Sequence, residues 1–146
     1  MGYATYQDMV DYFGEREVRL ISDRGNTGTA NIIVIEDGLR TADGEIDSFI
    51  AGRYSLPLRE TPRVLVGIAC DIARYRLTGT ERIESSVVLE RYRMAIRYLE
   101  KVAAGSVTLG AGVNTGTVVE SGEDAVQFCV GAPRQFTRRS TGGGAY

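Results

Sequence analysis

The sequence predicts a mainly α protein: an antiparallel bundle of four to five helices, then a small C-terminal β-hairpin and an extended tail. Three observations predict it. Apolar residues at Ile32, Ile35, Leu39, Ala42, Ile46 and Phe49 alternate steps of three and four, which lines one face of a helix over several turns. Beyond a proline-bearing corner, residues 62–77 are apolar on most sides, as expected of a helix at the centre of a bundle. After Gly105 the texture becomes glycine-rich, with two short runs of strand-forming residues. The 146 residues therefore divide into a helical bundle domain at 1–105, a glycine-rich segment with the hairpin at 106–132, and a flexible C-terminal arm at 133–146.

The elements follow in order. Thr5 and Asp8 have the spacing of a capping box, and Met9, Val10 and Phe13 supply the apolar face of a first short helix that Gly14 ends. A second short helix at 15–21 starts with acidic residues and carries Val18, Leu20 and Ile21. Asp23 to Thr29 form a loop. It has neither the ligands of a calcium loop, since position three is Gly25 and position twelve is Val34, nor the Gly-Lys-Ser/Thr ending of a phosphate loop. A connector ending in a Thr29 or Asn31 cap is the expectation. The β-branched run at 32–35 is compatible with a strand, but the unbroken three-four spacing favours a long third helix.

Gly52 and Pro57 stop that helix, and Thr61 with Pro62 restarts the chain as N-cap and first-turn proline. Leu65, Ile68, Ala69, Ile72, Ala73 and Leu77 then form a broad apolar face, and Gly79 closes it. Residues 83–104 make a last long helix, with Val88, Tyr92, Ala95, Ile96, Leu99, Val102 and Ala103 inward and a charged outer face. Two strands at 117–120 and 125–130 flank Ser121 to Asp124 as the hairpin. The arm carries Arg134, Phe136, Arg138, Arg139 and Tyr146, a basic and aromatic set that suits docking on a partner or belongs to an ordinary frayed tail.

Composition narrows the chemistry. With 43% hydrophobic and 25% charged residues the chain is neither disordered throughout nor fibrous. A net charge of -2, with scattered arginines, lacks the concentrated phosphate-neutralising patch of a nucleic-acid binder. Cys70 and Cys129 have no disulfide-framework or zinc spacing, and Cys70 is expected to be a buried reduced thiol, as in a cytosolic protein. The N-terminus has no secretory pattern, Tyr6 breaks the myristoylation signal, and no segment approaches the ~20 apolar residues of a membrane span.

There is no histidine, the commonest general base, and the only lysine is Lys101 on a charged helix face. Glu36, Asp43 and Asp47 accompany arginines and are expected to be surface ion pairs. The expectation is thus no enzyme, no cofactor and no metal site. Asp71 lies within the apolar helix, where pairing with Arg74 or Arg53 would explain it. Arg53 and Tyr54, beside Asp71 and Arg74, are expected to form a structural corner that fixes the angle between two helices.

The stretches YATYQDMVDYFGEREV, EIDSFIAGRYSLPL, ACDIARYRLTG, RYRMAIRYLEKVAAGSVTLG and PRQFTRR, in that order, resemble the Mu-like prophage head-tail connector (adaptor, or head completion) family of small virion-assembly proteins. The resemblance implies a structural protein that forms a dodecameric ring beneath the phage portal and bridges it to tail-side completion proteins. It implies neighbouring copies and the portal as partners, with the arm docked on the portal. DNA passes through such a ring without sequence-specific binding, and no membrane is involved. The implied location is the host cytoplasm during assembly, then the head-tail junction of the virion. A DNA-binding regulator and a tail completion or terminator protein are the alternatives.

Overall fold

A capping box opens the first helix: the Asp8 amide donates to the Thr5 hydroxyl while the Thr5 amide donates to the Asp8 carboxylate at 2.7 Å. The structure, a computed structural model, describes residues 2–78 and 86–110. It contains five helices, α1 (Tyr6–Phe13), α2 (Glu15–Ser22), α3 (Ile32–Ile50), α4 (Arg63–Leu77) and α5 (Ser86–Ala103). Among the described residues there is no regular strand. The expected hairpin, the C-terminal arm, Gly79 and the expected helix start near Ile83 lie outside the described residues.

Gly14 both ends α1 and begins α2, at φ +82°, a conformation that a side chain would strain. This abrupt corner folds the two short helices against each other. On α2, Val18 and Ile21 are buried but Leu20 is 50% exposed. At 100° per residue Leu20 points away from the Val18–Ile21 face.

The loop from Asp23 is held by its own side chain. Asp23 accepts from the amides of Thr27 (2.8 Å) and Gly28 (2.6 Å), and these bonds hold its carboxyl below the usual range. Asn31, not Thr29, then caps α3 by accepting from the amides of Ile33 and Val34. The run at 32–35 is helical, and its β-branched residues divide: Ile35 is wholly buried, while Ile33 is 70% exposed.

At the start of α4, Pro62 is the N-cap and no side chain bonds the free amides, so Thr61 does not have the expected capping role. Leu65, Ile68, Ala69, Cys70, Ile72 and Ala73 are buried as the spacing predicts. Val64 is exposed, so α4 is amphipathic and not apolar all round. Both α3 and α4 touch all four other helices, whereas α5, among the described residues, packs mainly on these two. The centre is therefore the α3–α4 pair, with Ile35, Ile46, Ile50, Leu65, Ile72, Leu99 and Val102 filling the core. Ala103, expected inside, is exposed at the last position of α5.

The α3–α4 contact is tight at one place. A Cβ on Gly38 would sit 2.9 Å from Leu77 Cγ, so the helix can carry no side chain there without displacing its neighbour. Gly44, two turns along, has open space where a Cβ would be. Gly38→Ala is therefore expected to lower the stability to unfolding by about 1–3 kcal/mol, while Gly44→Ala raises it by about 0.5–1 kcal/mol through helix propensity. Urea melts of the two variants check the pair of opposite signs.

Candidate functional site

The polar residues that the helices bring together form three clusters, and each ties one helix to another. The first is the corner after α3. Tyr54 is buried, and its hydroxyl oxygen accepts the Leu109 amide at 3.0 Å. The Arg53 guanidinium lies against Gly105, filling the space a side chain there would need, and its Nε is buried without a hydrogen-bond partner. Arg53 and Tyr54 thus hold the segment that leaves α5.

The second cluster joins α1, α2, α4 and α5. Arg74 donates to Glu17 from Nε at 2.7 Å and again from its terminal nitrogen. Its guanidinium stacks over the Phe13 ring, 4.6 Å from the centroid, and that of Arg91 lies 5.8 Å away. Asp71 faces Arg91 at 3.5 Å. The expected corner of Arg53, Tyr54, Asp71 and Arg74 is therefore not one site. Asp71 pairs with Arg91 and Arg74 with Glu17, across helix interfaces that local spacing does not display. A cavity of about 360 Å³ adjoins this cluster, lined by Phe13, Arg16, Leu20 and Val88 among others.

The third cluster is centred on Glu45. Its two oxygens reach different helices: Oε2 accepts from Arg76 of α4 at 2.8 Å, and Oε1 from the Tyr92 hydroxyl of α5 at 2.8 Å. Tyr92 in turn stacks on Tyr75, with ring centroids 4.0 Å apart and an interplanar angle of 13°. Burial, followed by the bond to Glu45, pushes the Tyr92 hydroxyl up, and the same carboxylate raises Arg76.

Sequence reasoning missed the use made of Asp43 and Asp47. Among the described residues these do not pair with arginines: Asp43 accepts the Tyr3 amide at 3.0 Å, and Asp47 accepts the Tyr3 hydroxyl. Their shared face at a spacing of four was visible, but the tyrosine lies forty residues away. Burial raises Asp43, and burial with the Asp47 bond raises Tyr3. Cys70 is free and buried, and burial pushes its thiol up to about 12, far from a reactive thiolate.

Most of the charged groups in these clusters thus bond helix to helix, whereas Arg40 and Asp37 pair within α3 at 2.9 Å and Asp23 holds its own loop. Among the described residues no group of three or more Cys, Asp or Glu side chains is placed to hold a metal. No described helix is long and apolar enough to cross a membrane. Arg134, Phe136, Arg138, Arg139 and Tyr146, the expected partner-binding residues, lie outside the described residues.

Residues 3–128 match the family model described as Bacteriophage Mu, Gp36. The chain belongs to this family. It is 38% identical over 130 residues to the Mu-like prophage FluMu protein gp36 of Haemophilus influenzae, which covers 89% of this chain and 90% of that protein. It is 29% identical over 143 residues to gene product J of Escherichia phage Mu, covering 97% and 99%. The Mu-like phage origin expected from the sequence holds. The Gp36 match includes all five helices and all three clusters.

Two outcomes test the electrostatics of this Gp36-family bundle. Glu45→Ala removes bonds to two helices at once and is expected to cost about 1–2 kcal/mol, the lower part of the range for bonds to a charged group because Arg76 is half exposed. Burial raises Asp71 against the pull of Arg91 and Arg74. The folded chain then keeps this proton at pH values where the unfolded chain has lost it, so its contribution to stability is full at acid pH and declines as pH rises through the folded pKa. Asp71→Asn is expected to flatten that part of the stability-pH curve and to be at least as stable as the parent at neutral pH. Thermal melts across the pH range measure both.

Proposed function

We propose that this chain is a structural virion protein, a head-tail connector (adaptor) that bridges the phage portal and the tail-side completion proteins around the DNA channel. The observation that carries the reading is membership of a phage Mu family along the whole described bundle. The architecture supports it. The resolved polar clusters fasten the helices into a rigid wedge, leaving exposed apolar residues on the edges for neighbours. No catalytic group, cofactor or metal is required by such a role.

The connector works as repeated copies in a dodecameric ring, through which DNA passes without sequence-specific contact. The arm, with Arg134, Phe136, Arg138, Arg139 and Tyr146, docks on the portal. The protein is made in the host cytoplasm and ends at the head-tail junction.

The test is electron microscopy of particles from a phage in which this gene is interrupted. The expected result is DNA-filled heads and free tails that do not join, with joining restored when the purified protein is added to the lysate. Heads that carry normal tails contradict the reading. Tails of aberrant length assign the protein to tail termination instead, and salt-sensitive duplex binding with normal particles assigns it to regulation.

A further inference from the structure

The path by which the chain leaves α5 is held by the corner after α3. α5 itself ends in a Schellman motif: the Gly105 amide donates to the Val102 carbonyl at 3.1 Å and the Ser106 amide to that of Lys101 at 2.9 Å, with Gly105 at φ +82°. Beyond that turn Val107 packs against the core and Leu109 is buried in it. The Leu109 amide finds its acceptor fifty-five residues away, in the buried Tyr54 hydroxyl at 3.0 Å. A Cβ on Gly105 would sit 2.8 Å from Arg53 Cζ, so the guanidinium closes over the same turn.

Holding the chain this way does not favour the bundle itself. The Nε of Arg53 is buried with no partner, and none of the ion pairs among the described residues includes this arginine. A buried donor left unpaired lowers stability, so folding alone does not account for an arginine at this place. What Arg53 and Tyr54 have in common is their contact with residues 105–109, the root of the chain that runs on to the arm at 133–146.

We propose that Arg53 and Tyr54 are positioning residues for the C-terminal arm: they clasp residues 105–109 and so fix the point on the bundle from which the arm starts. This role rests on the connector reading above, in which the arm docks on the portal. A tethered segment reaches only the space within its contour length of the root, so holding the root sets which neighbour the arm meets. Release of the clasp adds five residues, about 17 Å of extended chain, to the tether and spreads the arm over a larger volume. The clasp therefore acts on docking through the effective concentration of the arm at its target, without touching the target.

Two readouts on the full chain test it. A nitroxide on the exposed Thr108→Cys, in protein carrying Cys129→Ser and retaining the buried Cys70, reports the clasp. Joining of heads and tails as a function of added protein, in the lysate of the interrupted phage, reports docking. Tyr54→Phe removes only the hydroxyl and Arg53→Met only the charged head; circular dichroism shows that each is folded, and either one carries the test if the other is not. The expected result is a mobile nitroxide component several-fold above the parent, and a joining curve that needs several-fold more protein to reach the same plateau. Arg53→Met is also expected to melt no lower than the parent. Glu45→Ala, which weakens the bundle elsewhere, is expected to leave the nitroxide and the joining curve unchanged. A nitroxide that stays immobile in both variants, a joining curve equal to the parent's, or an equal shift with Glu45→Ala overturns the proposal. Normal tails on heads from the interrupted phage would remove the connector reading and this role with it, whereas joining restored equally by parent and variants would discard this role alone.

Discussion

The close approach of α3 to α4 sets the geometry of the bundle. Gly38 lets Leu77 lie against the α3 backbone, and the two helices then share Ile35, Ile46, Ile50, Leu65 and Ile72 as a dry seam. α5 docks in the groove between them with Leu99 and Val102, and the α1–α2 corner covers the other side with Met9 and Val18. Non-directional apolar burial supplies most of the driving force. Polar groups then select one arrangement, because a half-buried carboxylate without its partners is costly.

Glu45 shows how this selection operates. From α3 it reaches Arg76 on α4 and Tyr92 on α5, so a rotation of any of the three helices breaks at least one bond. The Phe13, Arg74 and Arg91 stack does the same for α1 and α2. The tyrosine pair at Tyr75 and Tyr92 fixes the remaining angle. With these groups engaged internally, the surface keeps a sparse set of exposed apolar side chains spread over all five helices, Tyr12, Leu20, Ile33, Val64 and Met94 among them. A scaffold that positions edges for neighbours has this division between a fastened interior and unused margins.

Much of this was legible in the residues. The stripe of α3 from Ile35 to Ile46, the broad face of α4 and the Thr5–Asp8 box follow from local spacing and are present, although Ile32 at the head of the stripe is half exposed; of the two candidate caps, Thr29 and Asn31, the chain uses Asn31. The errors were also of one kind. Thr61 has the residue type and the place of an N-cap before Pro62, yet its side chain forms none. Asp71 has Arg74 one turn along its own helix, yet the arginine it faces at 3.5 Å is Arg91 on α5. Asp43 and Asp47 have the spacing of surface ion pairs, and nothing local marks Glu45 as a tie between helices, because bonds across thirty to fifty residues leave no periodic trace. Local rules describe a helix and its ends; the partner of a charged side chain is decided by the tertiary fold.

The most direct measurement is a cryo-electron reconstruction of the head-tail junction in the virion of the phage that encodes this chain. The connector account predicts five-helix density repeated around the DNA channel beneath the portal. A junction whose density is filled by other chains, with this one absent, would contradict it.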